Sequence, residues 1–376
     1  GASGAPSIWW SRNVEVKDCH IFGGYYVGGV MGTSSYILKG FVLDSVISTI
    51  YDPGYQEYTG KPKGTPTGST QNKYIGGIGG SCGATPTACG VVNCTIGAAG
   101  ADNVGGILGW SASGIYSCFC IVTDETDETD DSPLLKVYGR NNIGGIVGNH
   151  RLCSVYACQS NATVIASGEN AGGIAGYMNI NRDIDGARVP CLLGNYYVGN
   201  VSAADYAGGL VGRANAELYG DNSRLIVAAN VTVNGSNGDI VGNLAGGSFA
   251  YLRIYDNSVL SVGGAAGKKA TEIYASHPQT SAGMMLVSTA QLKNASTYTS
   301  LGSYFTTTYR NYTSLNHNFM PYLRYSSATM PYQEGKDENG NYNPVDSYLG
   351  GIPIPSELQG AMMPMMVPMM ALMSGE

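Results

Sequence analysis

Three residue sets in this chain are of types that do chemistry: four histidines, nine cysteines and one run of acids. His20, His150, His277 and His317 are scattered. None belongs to a His-Glu-x-x-His helix, the spacing that brings two imidazoles onto one zinc ion. His20, beside Cys19 in an apolar run, reads as a structural residue. No Cys-x-x-Cys pair exists, so the thiols do not have zinc-site spacing. Cys94, Cys118 and Cys158 sit inside apolar runs, as buried free thiols do. Cys82 and Cys89 flank a six-residue loop, Gly83 to Ala88, and would close it as a disulfide in an exported protein; Cys153 with Cys191 is a weaker pair. The odd total leaves at least one thiol over.

The acids cluster once, in Asp124-Glu125-Thr126-Asp127-Glu128-Thr129-Asp130-Asp131. A solvated insertion is one reading and a calcium site the other, although the glycine and spacing of a known calcium loop are missing. Glycoside chemistry needs two carboxylates across a groove. Outside this run the acids are sparse and isolated. No Gly-x-Ser-x-Gly elbow stands in a strand-to-helix context, and no Walker loop or dinucleotide fingerprint occurs. The expectation is therefore a non-enzyme with no catalytic, cofactor-binding or metal residues to name and no cofactor. A ligand site, if present, has no signature.

What must position these residues is written in the glycines. Glycine numbers 55 of 376 residues, about twice the usual ~7% share. Eight hexamers follow one pattern: Val27–Gly32, Ile75–Gly80, Val104–Gly109, Ile143–Gly148, Ala171–Gly176, Ala207–Gly212, Val241–Gly246 and Val262–Gly267. Self-similarity of this kind means one unit stacked many times. Read as a strand, a hexamer such as Ile143–Gly148 puts Gly144, Ile146 and Gly148 on one face. An aliphatic prong between two bare backbone slots is then expected to nest against a neighbouring layer.

Between the hexamers run second apolar stretches centred on a small or polar residue, with Ser45, Cys94, Cys118, Cys158 and Asn257 read as one inward column. Each unit thus offers at least two short strands, stacked about 4.8 Å apart. Spacing between copies varies, and the long intervals hold insertions at Tyr55 to Asn72, Thr123 to Pro133 and Asn179 to Pro190. Such insertions project as loops, where binding surfaces form. Tyr25, Tyr26, Tyr55, Tyr58, Tyr177, Tyr196, Tyr197 and Tyr206 lie at or near repeat edges and in insertions. They offer flat contact area to sugars or proteins, or simply line strand surfaces.

Charged residues make up only 12% of the chain, and Tyr, at 27, far outnumbers Phe and Trp, which suits an extracellular β-rich scaffold. The net charge of −7, with no basic cluster beyond Lys268-Lys269, argues against a nucleic-acid partner. No stretch has the ~18 to 20 apolar residues of a membrane-spanning helix. No signal peptide is visible at Gly1-Ala2-Ser3-Gly4.

The hexamers and the runs after them resemble the GLUG repeat of bacterial surface proteins, which also accompanies IgA-specific zinc metallopeptidases. The stretch Thr289 to Tyr298, then Leu301-Gly302 and Pro321-Tyr322-Leu323-Arg324, resembles the segment that closes such arrays. Met320 stands where a Tyr is usual, and Tyr304 and Phe305 replace tryptophans. The resemblance spans roughly Val14 to Arg324 and implies a β-solenoid on a bacterial surface, usually without assigned activity.

The sequence thus predicts an all-β fold, a β-solenoid or β-helix of irregular Gly-rich repeats with a C-terminal closing segment. The parts are a repeat array over 1–285, a closing segment over 286–330, and a linker with a Met-rich tail over 331–376. The tail's Met362 to Met373 strip, broken by Pro364 and Pro368, cannot be a regular helix and is expected to dock. The expected role is a non-catalytic, secreted or cell-surface module. It would act as an adhesin for a host glycan, a host protein or a bacterial surface ligand, or as a spacer. The alternatives are a β-helix glycan-processing enzyme and the accessory stalk of a secreted peptidase.

Overall fold

The computed structural model describes residues 10–34, 36–68, 71–83, 85–121, 136–151, 154–178, 192–215, 224–243, 251–280 and 283–292, with 297, 301, 305–306 and 322–323. The acidic run, Cys153, Cys191, the insertions at 123–133 and 179–190, and the Met-rich tail lie outside these residues.

The expected architecture is present. Short strands wind into a parallel β-solenoid whose coils share three long sheets. Sheet A has 16 strands, and sheets B and C have seven each. One coil shows the plan. Gly90–Val92 lies in the first half of sheet A and Thr95–Gly97 in its second half, Asp102–Gly105 in sheet B and Leu108–Ser111 in sheet C. After Ile115–Tyr116 the chain re-enters sheet A at Phe119–Ile121. The bends at Asn93 (φ 51°) and Ser117 (φ 60°) fall on residues with left-handed backbone, and Asn103 (φ 56°) has the same conformation inside its strand of sheet B. Asn tolerates that region better than most side chains, which is why Asn recurs there.

The hexamer is a corner between two strands, and this corrects the reading of it as a single strand. In Ile143–Gly148 sheet B ends at Gly144 and sheet C begins at Val147. Alternation therefore stops at the corner, and Ile143, Ile146 and Val147 are all buried in the core. A Cβ on Gly105 would lie 2.7 Å from the Gly148 nitrogen of the next coil, and one on Gly144 would lie 2.7 Å from the Gly176 nitrogen. A Cβ on Gly109 would lie 2.6 Å from the Ile75 nitrogen of the coil before. Sheets B and C thus meet backbone against backbone. The middle glycine points instead at sheet A: a Cβ on Gly106 would strike Cys120, and one on Gly145 would strike Ser160. Bare slots do admit a neighbouring layer, but what fills them is main chain and sheet A side chains, not the aliphatic prong.

Two of the eight copies are corrected. Opposite Ala207–Val211 stand Gly238 to Gly242, not Val241 to Gly246: Gly208 pairs with Asp239, and the Leu210 N–H donates to the Val241 carbonyl (2.7 Å). The register is three residues earlier than the glycines suggest. Val262–Gly267 is no corner at all. Val259–Val262 ends a strand of sheet A, and Gly263 (φ 61°) and Gly264 (φ 74°) turn the chain into the antiparallel strand Lys268–Lys269. A Val-Gly-Gly string satisfies such a turn as well as a corner.

The supposed single polar column is two. Cys89, Cys118, Cys158 and Asn195 stack at the entry to sheet A, where the Cys118 N–H donates to Cys158 Sγ (3.5 Å) and the Cys158 N–H to Asn195 Oδ1 (2.9 Å). Cys19, Ser45 and Cys94 stack at the bend between its two halves, where the Cys19 N–H donates to Ser45 Oγ (3.0 Å). Ser258, rather than Asn257, continues the second column, accepting from the Ala229 N–H (3.1 Å). Cys82 and Cys89 are buried thiols and are not joined as a disulfide. The insertion after Ile50 is more than turns, since it opens with a helix, α1 (Pro53–Thr59).

Candidate ligand-binding surface

Helix α1 is an anomaly in an all-β array, because none of its residues is buried. It is nevertheless firmly held. Asp52 caps it, Oδ1 accepting from the Gly54 N–H (2.9 Å), while Oδ2 accepts from the Ala99 N–H (3.1 Å) one coil further on. Asp52 also takes a hydrogen bond from Tyr138, whose phenol is pushed up to about 12 by burial first and by Asp52 second. At the other end Gly60, with φ 68°, returns its N–H to the Gln56 carbonyl (2.9 Å).

What the helix presents is aromatic. Tyr58 stacks flat on His20, with ring centroids 3.8 Å apart and planes 5° apart, and is 60% exposed. Tyr55 meets Phe22 edge-on at 5.3 Å. The alternation His20-Ile21-Phe22 puts His20 and Phe22 on the outer face of the first coil. A second group lies in the first two coils: Tyr26 stacks on Tyr74 at 5.1 Å, and Tyr25, exposed, rests on Tyr26. Burial, then Tyr26, raises the Tyr25 phenol to about 12; burial, then Tyr26 and Asp102, raises that of Tyr74. The Tyr25 and Tyr74 phenols therefore stay protonated at any physiological pH.

Further along, the same flank turns polar. Asn142 donates to Asn103 (2.9 Å) and Asn170 to Asn142 (2.7 Å), one coil to the next. Asn149 of sheet C donates to Asn103 of sheet B (3.2 Å), bridging the two sheets above their glycine contact. Half-buried Trp110, Asn149 and Tyr177 form one column of sheet C with exposed Arg213, which lies 4.6 Å over the Tyr206 ring.

The tyrosines singled out in the sequence therefore divide. Tyr55 and Tyr58 gather on His20 and Phe22, Tyr25 and Tyr26 form a separate group with Tyr74, and Tyr177 and Tyr206 are half-buried along the flank. Tyr196 and Tyr197 are buried, and the Tyr197 hydroxyl donates to the Ala162 and Asn200 carbonyls (both 2.9 Å). A strand run of consecutive aromatics has one face in the core whichever way it turns. His20, Phe22 and Tyr74 belong to the surface and were missed; the period-two spacing of His20 and Phe22 was the available signal.

The buried carboxylates have structural partners. Asp102 accepts Arg140 through two bonds (2.9 and 2.6 Å) and Asn141 (3.0 Å), and Asp52 serves α1. Among the described residues no group of three or more His, Cys, Asp or Glu is placed to hold a metal ion. No helix among them is long and apolar enough to cross a membrane.

No family profile and no curated protein matches the sequence. Among solved structures the chain is similar to a crystal structure from Bacteroides ovatus, of a protein provisionally named an immunoglobulin A1 protease. The identity is 15%, the TM-score 0.39, and the match covers 79% of this chain and 73% of that one. A likeness of that size carries no activity from one chain to the other.

Proposed function

We propose that this chain is a non-catalytic bacterial surface module that uses a rigid β-solenoid to hold a ligand-contacting aromatic surface. The observation that carries the reading is α1. A helix with no buried residue contributes no core, yet a buried carboxylate and a coil-to-coil hydrogen bond fix it in place. Its product is Tyr58 and Tyr55 seated on His20 and Phe22. Rigid tyrosines in a preformed cluster lose little entropy on contact with a partner.

The test is a screen of the full chain against immobilised glycans and extracellular proteins, repeated with Tyr58→Ala. We expect a ligand whose binding falls at least tenfold in the variant while the melting temperature holds. Binding of a ligand that ignores Tyr58, Tyr55 and Tyr25 alike would move the surface elsewhere. A chain that binds nothing would leave the spacer or peptidase-stalk role, for which the solenoid alone suffices.

A further inference from the structure

Four consecutive strands of sheet C repeat one burial pattern. Leu108–Ser111, Val147–His150, Ala175–Met178 and Val211–Ala214 each bury three residues and turn only the third outward. Those third residues are Trp110, Asn149, Tyr177 and Arg213, paired in register from coil to coil. Ring and polar side chain therefore alternate at about 4.8 Å per coil. The line has ends. The coil before Trp110 carries Ser81 in this position. The coil after Arg213 carries Asn243, whose amide donates to the Ala207 and Gly212 carbonyls (3.0 and 2.9 Å).

The core does not call for these four side chains, yet the backbone beneath them is clamped. Each follows a glycine, Gly109, Gly148, Gly176 or Gly212, where a Cβ would run into main chain of the coil before. Asn149 is steadied by its bond to Asn103, and Arg213 by the Tyr206 ring. Their outward groups are open. Among the described residues the Trp110 indole N–H, Asn149 Oδ1 and the Tyr177 hydroxyl have no hydrogen-bond partner, and no carboxylate pairs with Arg213. That cation stands unneutralised in a chain of 27 acids against 20 bases. The adjacent column of sheet B is different, since Asn103, Asn142 and Asn170 bond to one another. Rigidly held Trp, Tyr and Arg are the side chains that anchor ligands best.

We propose that this column binds an extended acidic glycan running along the solenoid axis. A pyranose in an extended β-linked chain is about as long as one coil is thick, so successive sugars meet indole, amide, phenol and guanidinium in turn. The apolar C–H face of one sugar rests on Trp110, and that of the next but one on Tyr177. Asn149 Oδ1 accepts a hydroxyl from the sugar between them. Arg213 takes a uronate carboxylate through two parallel N–H donors. One cation in the line is too few for a nucleic acid. A sheet's outer face, unlike its edge, offers a peptide no main-chain pairing. The site lies on sheet C and is independent of α1, whose rings sit on sheet A, so it goes beyond the aromatic surface proposed above.

The test is calorimetric titration of the full chain with three probes: a hyaluronan hexasaccharide, a mannuronan hexasaccharide and neutral cellohexaose. We expect at least one acidic probe to bind about tenfold more tightly than cellohexaose, with an advantage that added salt erodes. Arg213→Gln, an exposed position that leaves the fold intact, should bring the acidic probe down to the neutral level. Trp110→Ala and Tyr177→Ala should each weaken it about tenfold. Trp110→Phe keeps a ring and should retain most of the binding, which separates loss of stacking from loss of fold. Tyr58→Ala should change nothing, so this site and the α1 surface fail or stand separately. No binding of either acidic probe, or binding that Arg213→Gln leaves unchanged, would overturn the proposal. So would binding that survives both ring-to-alanine changes or that is lost in Tyr58→Ala.

Discussion

Asp239 occupies, in the last corner among the described residues, the ladder position that Gly208 holds one coil earlier. A Cβ on Gly172, the same position another coil back, would meet the Gly212 nitrogen at 2.5 Å; at Gly208 it would meet the Gly242 Cα at 2.6 Å. After the final corner a side chain becomes tolerable, and this one terminates the stack. Its Oδ1 accepts from the Val241 and Gly242 N–H groups (2.7 and 3.1 Å) and from the Tyr274 hydroxyl (3.1 Å).

Removing that carboxylate should loosen the end of the array. Asp239→Ala leaves two main-chain donors without their acceptor, a cost of about 1–3 kcal/mol. Hydrogen exchange should quicken at 240–243 while the central coils stay protected. Tyr274→Phe should cost less, about 1 kcal/mol, and the double variant less than the sum, because both groups act through one oxygen. Exchange spreading evenly through all coils would show that Asp239 is not an end cap.

The asparagine stack should respond to shape and hydrogen bonding separately. Asn142 has φ 59°, donates to Asn103 and accepts from Asn170. Asn142→Ala loses both bonds and strains the backbone, and is expected to destabilise by about 2–3 kcal/mol. Asn142→Gly loses only the bonds and should recover about 1 kcal/mol of that. Equal denaturation midpoints for the two variants would remove the backbone component.

The thiols give a pH dependence with a definite sign. Burial raises Cys94 from 9.0 to about 12 and holds Cys89, Cys118 and Cys120 well above the ordinary thiol value. A folded value above the unfolded one means the stabilisation is intact below about pH 9 and is lost as pH climbs toward 12. Chemical denaturation midpoints should therefore be flat from pH 7 to 8.5 and fall above 9. The fall should be shallower in Cys94→Ala. Native protein should resist alkylation of these four thiols at pH 8, and a fast-reacting one among them would contradict their burial.

The repeat architecture was legible because glycine, costly in a strand, recurs at fixed offsets where successive coils pack too closely for a side chain. The corner was not, since Val-Gly-Gly-Ile fits a strand on paper and only the adjacent coil's backbone shows why alternation fails at Gly144. The shift at Gly238 was hidden for the same reason: Asp239 replaces the marker glycine where no further strand of sheet B follows among the described residues. Val262-Gly263-Gly264 misled in the opposite direction, as a turn that spells the motif. The surface was half legible. Tyr55 and Tyr58 stood out in an insertion, but their seats, His20 and Phe22, come from a strand 33 to 38 residues earlier, and that proximity exists only in the fold.

The most direct test of the architecture compares two glycine substitutions by equilibrium unfolding. A Cβ on Gly105 meets the backbone of its own coil and of the next, which cannot rotate away, whereas a Cβ on Gly83 meets nothing within 4 Å. Gly105→Ala is expected to lose more than about 3 kcal/mol or to fail to fold. Gly83→Ala should stay within about 0.5 kcal/mol of the parent. If Gly105→Ala is as stable as Gly83→Ala, sheets B and C do not meet through bare main chain, and the stacked solenoid described above is wrong.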